Sequence, residues 1–129
     1  MKFHPDKTLP ENGEIFVFGS NLAGHHGAGA AKVAYKTFGA EYGIGWGEAG
    51  QSYAIPTKDE NIRTLPLARI YSDVLLFLNF ATDNPDLEFF VTRIGCGLAG
   101  YKDSEIAPMF VAAPDNCSFP EPWRKFLIS

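Results

Sequence analysis

Two adjacent histidines, His25 and His26, stand inside the glycine-rich stretch Gly19 to Ala31, read as GSNLAGHHGAGAA, which also holds Asn21. An imidazole with an unperturbed pKa near ~6.5 moves protons at neutral pH, and a carboxamide orients a sugar hydroxyl, so the residue types suit hydrolysis at a sugar or phosphate. The opposing reading is a pair of exposed or capping histidines. Lys58, followed by Asp59, stands just after Gln51 to Pro56, which reads as a strand; two solvated loop charges are the plainer account. Cys96 lies in a second glycine-rich stretch, Gly95 to Tyr101, read as GCGLAGY. A thiol at a helix N-terminus with a lowered pKa would be a nucleophile, whereas a small residue packed in a glycine-rich turn would be inert.

These residues need elements to position them. Ile15 to Phe18 is an apolar run that reads as a strand over about Glu14 to Phe18, and it delivers the chain into the first glycine-rich stretch. Ala30, Ala31, Ala34 and Phe38 then share one helix face, with Gly39 placed to end it. Glycines before a helix leave unpaired N–H groups that suit a phosphate or diphosphate. Gly45 to Gly50 is a literal GxGxxG, but a strand follows it rather than a helix, so it reads as a hairpin-like connection with Trp46 at the tip.

Thr64 is the expected N-cap of the longest helix, with Pro66 in its first turn and Leu67, Ile70, Val74, Phe77, Leu78 and Ala81 on its inner face. Glu88 to Ile94 reads as a strand buried on both faces, and it feeds the second glycine-rich stretch. Asp103 or Ser104 caps the next helix, on which Ile106, Met109 and Phe110 face inward, and Asn116 to Phe119 reads as a short edge strand. The order strand, helix, strand, helix, strand, helix predicts one three-layer α/β/α domain over residues 1–129, with a mainly parallel sheet and residues 1–13 as a surface arm. Both glycine-rich loops then emerge on one sheet edge, as two walls of one phosphate cleft.

Composition narrows the partners. A net charge of −4 gives no basic excess for nucleic acid, and no apolar run approaches the ~20 residues of a membrane span. The N-terminus has no apolar signal-peptide core, and the two cysteines fit neither a disulfide framework nor a zinc site, so a cytoplasmic protein is expected. Nothing in the chain implies a metal or a cofactor.

With both loops in view, the chain from about Glu14 to Phe110 resembles the macro domain family, whose members bind ADP-ribose derivatives between two glycine-rich loops. The resemblance implies a ligand wall of Gly19, Ser20, Asn21, Gly24, Gly27, Ala28, Gly29 and Ala30 in the first loop. Gly95, Cys96, Gly97, Leu98, Ala99, Gly100 and Tyr101 form the second. Asn21 takes the part of the family's ribose-contacting Asn. The run Arg93 to Leu98, RIGCGL, is especially similar to macro domains that remove terminal ADP-ribose from proteins, and Lys58 matches the position of their attacking Lys. Ala99 stands where that subgroup has its catalytic Asp, with Asp103 as a substitute only if the loop folds back. The family's strand with an adenine-contacting Asp is expected to be missing, because so few residues precede Glu14. The overall look is of a small stand-alone bacterial or phage macro-like domain. The expectation is a binder and hydrolase of an ADP-ribose derivative, either the 1″-phosphate or an ADP-ribosylated protein, with His25 and His26, Asn21 or Lys58 as the catalytic groups. The alternatives are a binding module without chemistry and a Cys96-dependent hydrolase.

Overall fold

The computed structural model describes residues 1–128. In chain order it contains β1 (Lys2–His4), β2 (Ile15–Asn21), α1 (Gly29–Thr37), β3 (Gly47–Ala49), β4 (Ser52–Lys58), α2 (Leu67–Asp83), β5 (Phe89–Val91), α3 (Asp103–Ile106), β6 (Cys117–Pro120) and α4 (Arg124–Leu127). Short 3₁₀ turns lie at Ala107–Phe110 and Glu121–Trp123.

Side chains along a strand point alternately to opposite faces, and β2 is apolar on both. Ile15 and Val17 join a core with α2, α3 and α4, whereas Phe16 and Phe18 join a smaller one with Ala31, Ala34 and Phe38 around α1. Strand β5 repeats the pattern: Phe89 and Val91 face the first core and Phe90 the second. A sheet apolar on both faces has to be covered twice, which makes three layers.

The sheet order is β1-β6-β5-β2-β4-β3. All pairings are parallel except β3 with β4, so Gly47 to Ala49 form the hairpin expected at the GxGxxG stretch. Because β5, β2 and β4 are neighbours and parallel, their C-terminal ends open together, and open α/β sheets bind ligands at that edge.

Three expectations need correction. The segment before Glu14 is not merely a surface arm, since Lys2 to His4 pair with Ser118 to Pro120 as an edge strand. His4 then stacks on Phe90 with ring centroids 3.7 Å apart, and its Nδ1 bonds the Ser118 hydroxyl at 2.7 Å. Consequently β6 lies inside the sheet, between β1 and β5, rather than at its edge. Thr64 does not cap α2 either. Pro66 takes that place, and the Thr64 hydroxyl donates instead to the Ala99 carbonyl at 3.1 Å, tying the connection before α2 to the second glycine-rich loop.

Candidate functional site

A cleft of about 380 Å³ opens over the C-terminal ends of β2, β4 and β5. Its first wall is Gly19 to Asn21 and Gly27 to Ala31, its second Ile94, Gly95 and Gly97 to Ala99, and Thr57 and Lys58 line the β4 side. Helix α1 points its N-terminus into the cleft. Ala28 caps it without a side-chain bond, so the first-turn N–H groups are free to meet an anion. Among the described residues, the N–H groups of Gly97, Leu98 and Ala99 donate to no backbone carbonyl.

The first loop is held by its own polar side chains. Asn21 Nδ2 donates to the His25 carbonyl at 2.8 Å, and its Oδ1 accepts from the His25 N–H at 3.0 Å, so the carboxamide closes the loop as a brace. The Ser20 hydroxyl donates to the Gly45 carbonyl. Gly24 and Gly45 let this loop and the 43–45 segment touch backbone to backbone. A Cβ on Gly24 would lie 2.5 Å from the Ile44 nitrogen, and one on Gly45 would overlap the Asn21 carbonyl oxygen. Gly24 is therefore a packing glycine and does not line the cleft.

The two histidines part company. His25 is exposed and lines the cleft, whereas His26 is 1% exposed and packs edge-on against Phe18 in the α1 layer. His26 Nε2 donates to the Glu41 carbonyl at 2.8 Å, which leaves Nδ1 unprotonated in the neutral ring and, among the described residues, without a partner. The loop thus sends one imidazole to the cleft and the next one into the core.

Beneath the second loop lies an ionic cluster. Arg93 Nε and Nη2 grip Asp103 Oδ1 and Oδ2 at 3.0 and 2.8 Å, Nη1 reaches Asp6 Oδ2 at 3.0 Å, and the Trp123 indole N–H donates to Asp103 Oδ1 at 2.7 Å. Partial burial pushes the Asp103 carboxyl up, but the bonds from Arg93 and Trp123 outweigh it and hold the pKa below its ordinary value. Arg93 is correspondingly held charged. With two carboxylates on one guanidinium, Arg93 brings little free positive charge to the cleft and acts as a pin. Asp103 is consumed in the same cluster and does not fold back as a substitute acid.

Lys58 differs: it lines the cleft, makes no ion pair among the described residues, and no carboxylate lines the walls around it. Cys96 has the opposite character to an activated thiol. Burial, reinforced by Asp103, pushes its pKa up to about 12, and its Sγ bonds the Ile94 carbonyl at 3.5 Å, turned away from the cleft lining. Gly100 and Tyr101 also lie outside the lining, and the Tyr101 hydroxyl donates to the Leu65 carbonyl at 2.6 Å. Trp46 is exposed and does not border the cleft. Asp59 turns inward on its own loop, accepting from the Asn61 and Arg63 N–H groups.

Sequence reasoning missed a second cavity of about 320 Å³, which meets the cleft at Ala30, Thr92 and Arg93. Phe90, Phe16 and Val33 give it an apolar floor, and His4, Asp6 and Thr8 line its rim. A strand is present before Glu14, β1 at Lys2 to His4, and Asp6 follows it on the rim of this cavity. The available signal was Phe3-His4-Pro5-Asp6, a short run too polar to read as a strand. Among the described residues no cluster of His, Cys, Asp or Glu is placed to hold a metal, and no helix is long and apolar enough to cross a membrane.

No family model matches the chain, and no curated protein matches it. A solved structure does: Thermosipho africanus DarTG in complex with ADP-ribose, with a TM-score of 0.60 over 92% of this chain at 16% identity. The present chain spans 43% of that chain's length. At this identity the likeness shows the fold, which is the three-layer α/β/α macro-like fold.

Proposed function

We propose that the chain binds ADP-ribose or a close derivative. The diphosphate lies across the N-terminus of α1 between the two glycine-rich loops, the base enters the second cavity over Phe90, and the terminal ribose reaches the β4 side, beside Asn21, His25 and Lys58. One observation carries this reading: an amide-walled, carboxylate-free cleft runs on through Ala30, Thr92 and Arg93 into an apolar cavity. A phosphate slot joined to an apolar pocket matches a nucleotide diphosphate better than a sugar or a free phosphate. That DarTG was solved with ADP-ribose on the same fold supports the choice of nucleotide. Calorimetry with ADP-ribose tests it, and no measurable heat at millimolar ligand would sink it.

Hydrolysis is the second reading, favoured by a lysine that has no ion pair among the described residues, at the terminal-sugar end. Removal of a terminal phosphate, or water-mediated cleavage of an ADP-ribosyl bond to protein, would then rest on His25 or Lys58, with His26 set aside by its burial and Cys96 by its raised pKa and its place outside the cleft lining. The cleft's lack of a carboxylate base favours binding alone. Incubation with ADP-ribose-1″-phosphate and with ADP-ribosylated protein separates the two. His25→Ala and Lys58→Ala, with turnover and affinity measured independently, then assign the chemistry.

A further inference from the structure

Between β4 and α2 the chain makes a tight excursion over residues 58–64. Lys58 and Thr64 bridge its base, the Asp59 N–H donates to the Arg63 carbonyl at 2.8 Å, and the Ile62 N–H donates to the Asp59 carbonyl at 3.1 Å. Asp59 Oδ1 accepts at 2.8 and 2.9 Å from Asn61 and Arg63, so the backbone at Ile62 is clamped from both sides. Ile62 sits at φ +64°, a left-handed conformation that a β-branched residue rarely adopts and that Gly or Asn accepts readily. Burial does not explain the choice, because the side chain is 49% exposed. It does, however, line the cleft at the β4 side, beside Lys58 and remote from the apolar cavity by β1 and β5. Leu98, 70% exposed, lines the second wall, and its Cδ1 approaches to 3.6 Å of where a Cβ on Gly29 would stand. Strained backbone of this kind persists where the rest of a site demands it.

We propose that Ile62 is a specificity-determining residue, held in a strained turn so that its apolar side chain packs on the C–H face of the ligand's terminal sugar and closes that end of the cleft. This rests on the nucleotide-diphosphate reading above. The turn aims the side chain across the cleft mouth, and Leu98 covers the neighbouring diphosphate segment from the other wall.

The test compares the parent chain with Ile62→Asn and Ile62→Gly, measuring the thermal midpoint without ligand and the affinities for ADP-ribose and for ADP, which lacks the terminal sugar. The expected result for both variants is about tenfold weaker ADP-ribose binding, the scale of one aliphatic side chain losing its contact, with ADP binding unchanged. Ile62→Asn is also expected to melt at the same or a higher temperature, since its backbone is relieved. A lower midpoint for Ile62→Asn, unchanged ADP-ribose affinity, or equal losses for both nucleotides overturns the inference while leaving the ligand reading intact. A parent chain that binds neither nucleotide overturns that reading, and this inference with it.

Discussion

The two glycine-rich loops face each other across one cleft but are held in place by different physics. The first is braced by neutral polar groups and steric contact: Asn21 closes it, Ser20 pins it to Gly45, and Gly24 and Gly45 permit close backbone approach. The second rests on charge, with Arg93 shared between Asp103 and Asp6, while its tip at Gly97 and Leu98 stays open to solvent. A wall built by packing resists displacement and tolerates little substitution. One anchored by a partly exposed ion cluster depends on pH and salt and leaves its tip adjustable. The molecule therefore pairs a wall fixed by packing, which presents the α1 N-terminus, with one anchored by charge whose tip is open to solvent.

Substitution at Gly45 should show the largest effect. A methyl there displaces the Asn21 carbonyl, so Gly45→Ala should lose about 3 kcal/mol in chemical denaturation. Equal stability of parent and variant would show that the first wall is not held by that contact. Arg93→Met tests the second wall and should lose about 1–2 kcal/mol, less than for a fully buried pair because Arg93 keeps 34% of its side chain exposed. The loss should shrink as pH falls, because a carboxyl held below its ordinary pKa contributes stability above that value and forfeits it on protonation. A pH-independent loss would mean that packing, not charge, holds the loop.

The edge strand carries a separate titration. Burial lowers the His4 pKa from 6.5 to about 4, so between those values the unfolded chain binds a proton that the folded chain refuses. Stability then falls as pH drops from about 6.5 towards 4, by about 1 kcal/mol once partial exposure is discounted. His4→Gln should flatten that stretch of the melting profile, and an unaltered profile would remove His4 from the account. The smallest effect on stability is expected at Gly97, where a Cβ meets nothing within 4 Å and φ is not positive. Gly97→Ala should stay within about 0.5 kcal/mol of the parent. Gly97→Val should likewise fold yet bind ADP-ribose at least about tenfold more weakly, because its branches occupy the approach to the loop amides. Unchanged affinity would mean that this loop is no phosphate wall. Gly27 has the same open surroundings and no positive φ, so a side chain there would act by obstructing the ligand and not by straining the backbone.

Long periodic elements were readable from the chain because periodicity is local. The inward stripe of α2 from Ile70 to Ala81 and the two-faced apolar character of β2 and β5 lie where the pattern puts them. Strand β1 was unreadable because three residues carry no period, and their pairing partner lies more than a hundred residues away at Ser118 to Pro120.

By itself the sequence determined the layered α/β architecture and the convergence of two glycine-rich loops on one sheet edge. Hydrophobic spacing and glycine placement are properties of neighbouring residues, and parallel strands must end together. Tertiary structure alone decided which reactive side chains face the cleft. It sent His26 to the core and left His25 outside, it half-buried the Cys96 thiol, and it turned Asn21 and Asp103 into braces while leaving Lys58 without an ion pair among the described residues. It also built the second cavity from Phe16 of β2, Val33 of α1, Phe90 of β5, and His4 and Asp6 of the N-terminal segment. The role of a polar side chain depends on burial and on partners distant in sequence, and neither is written in local spacing.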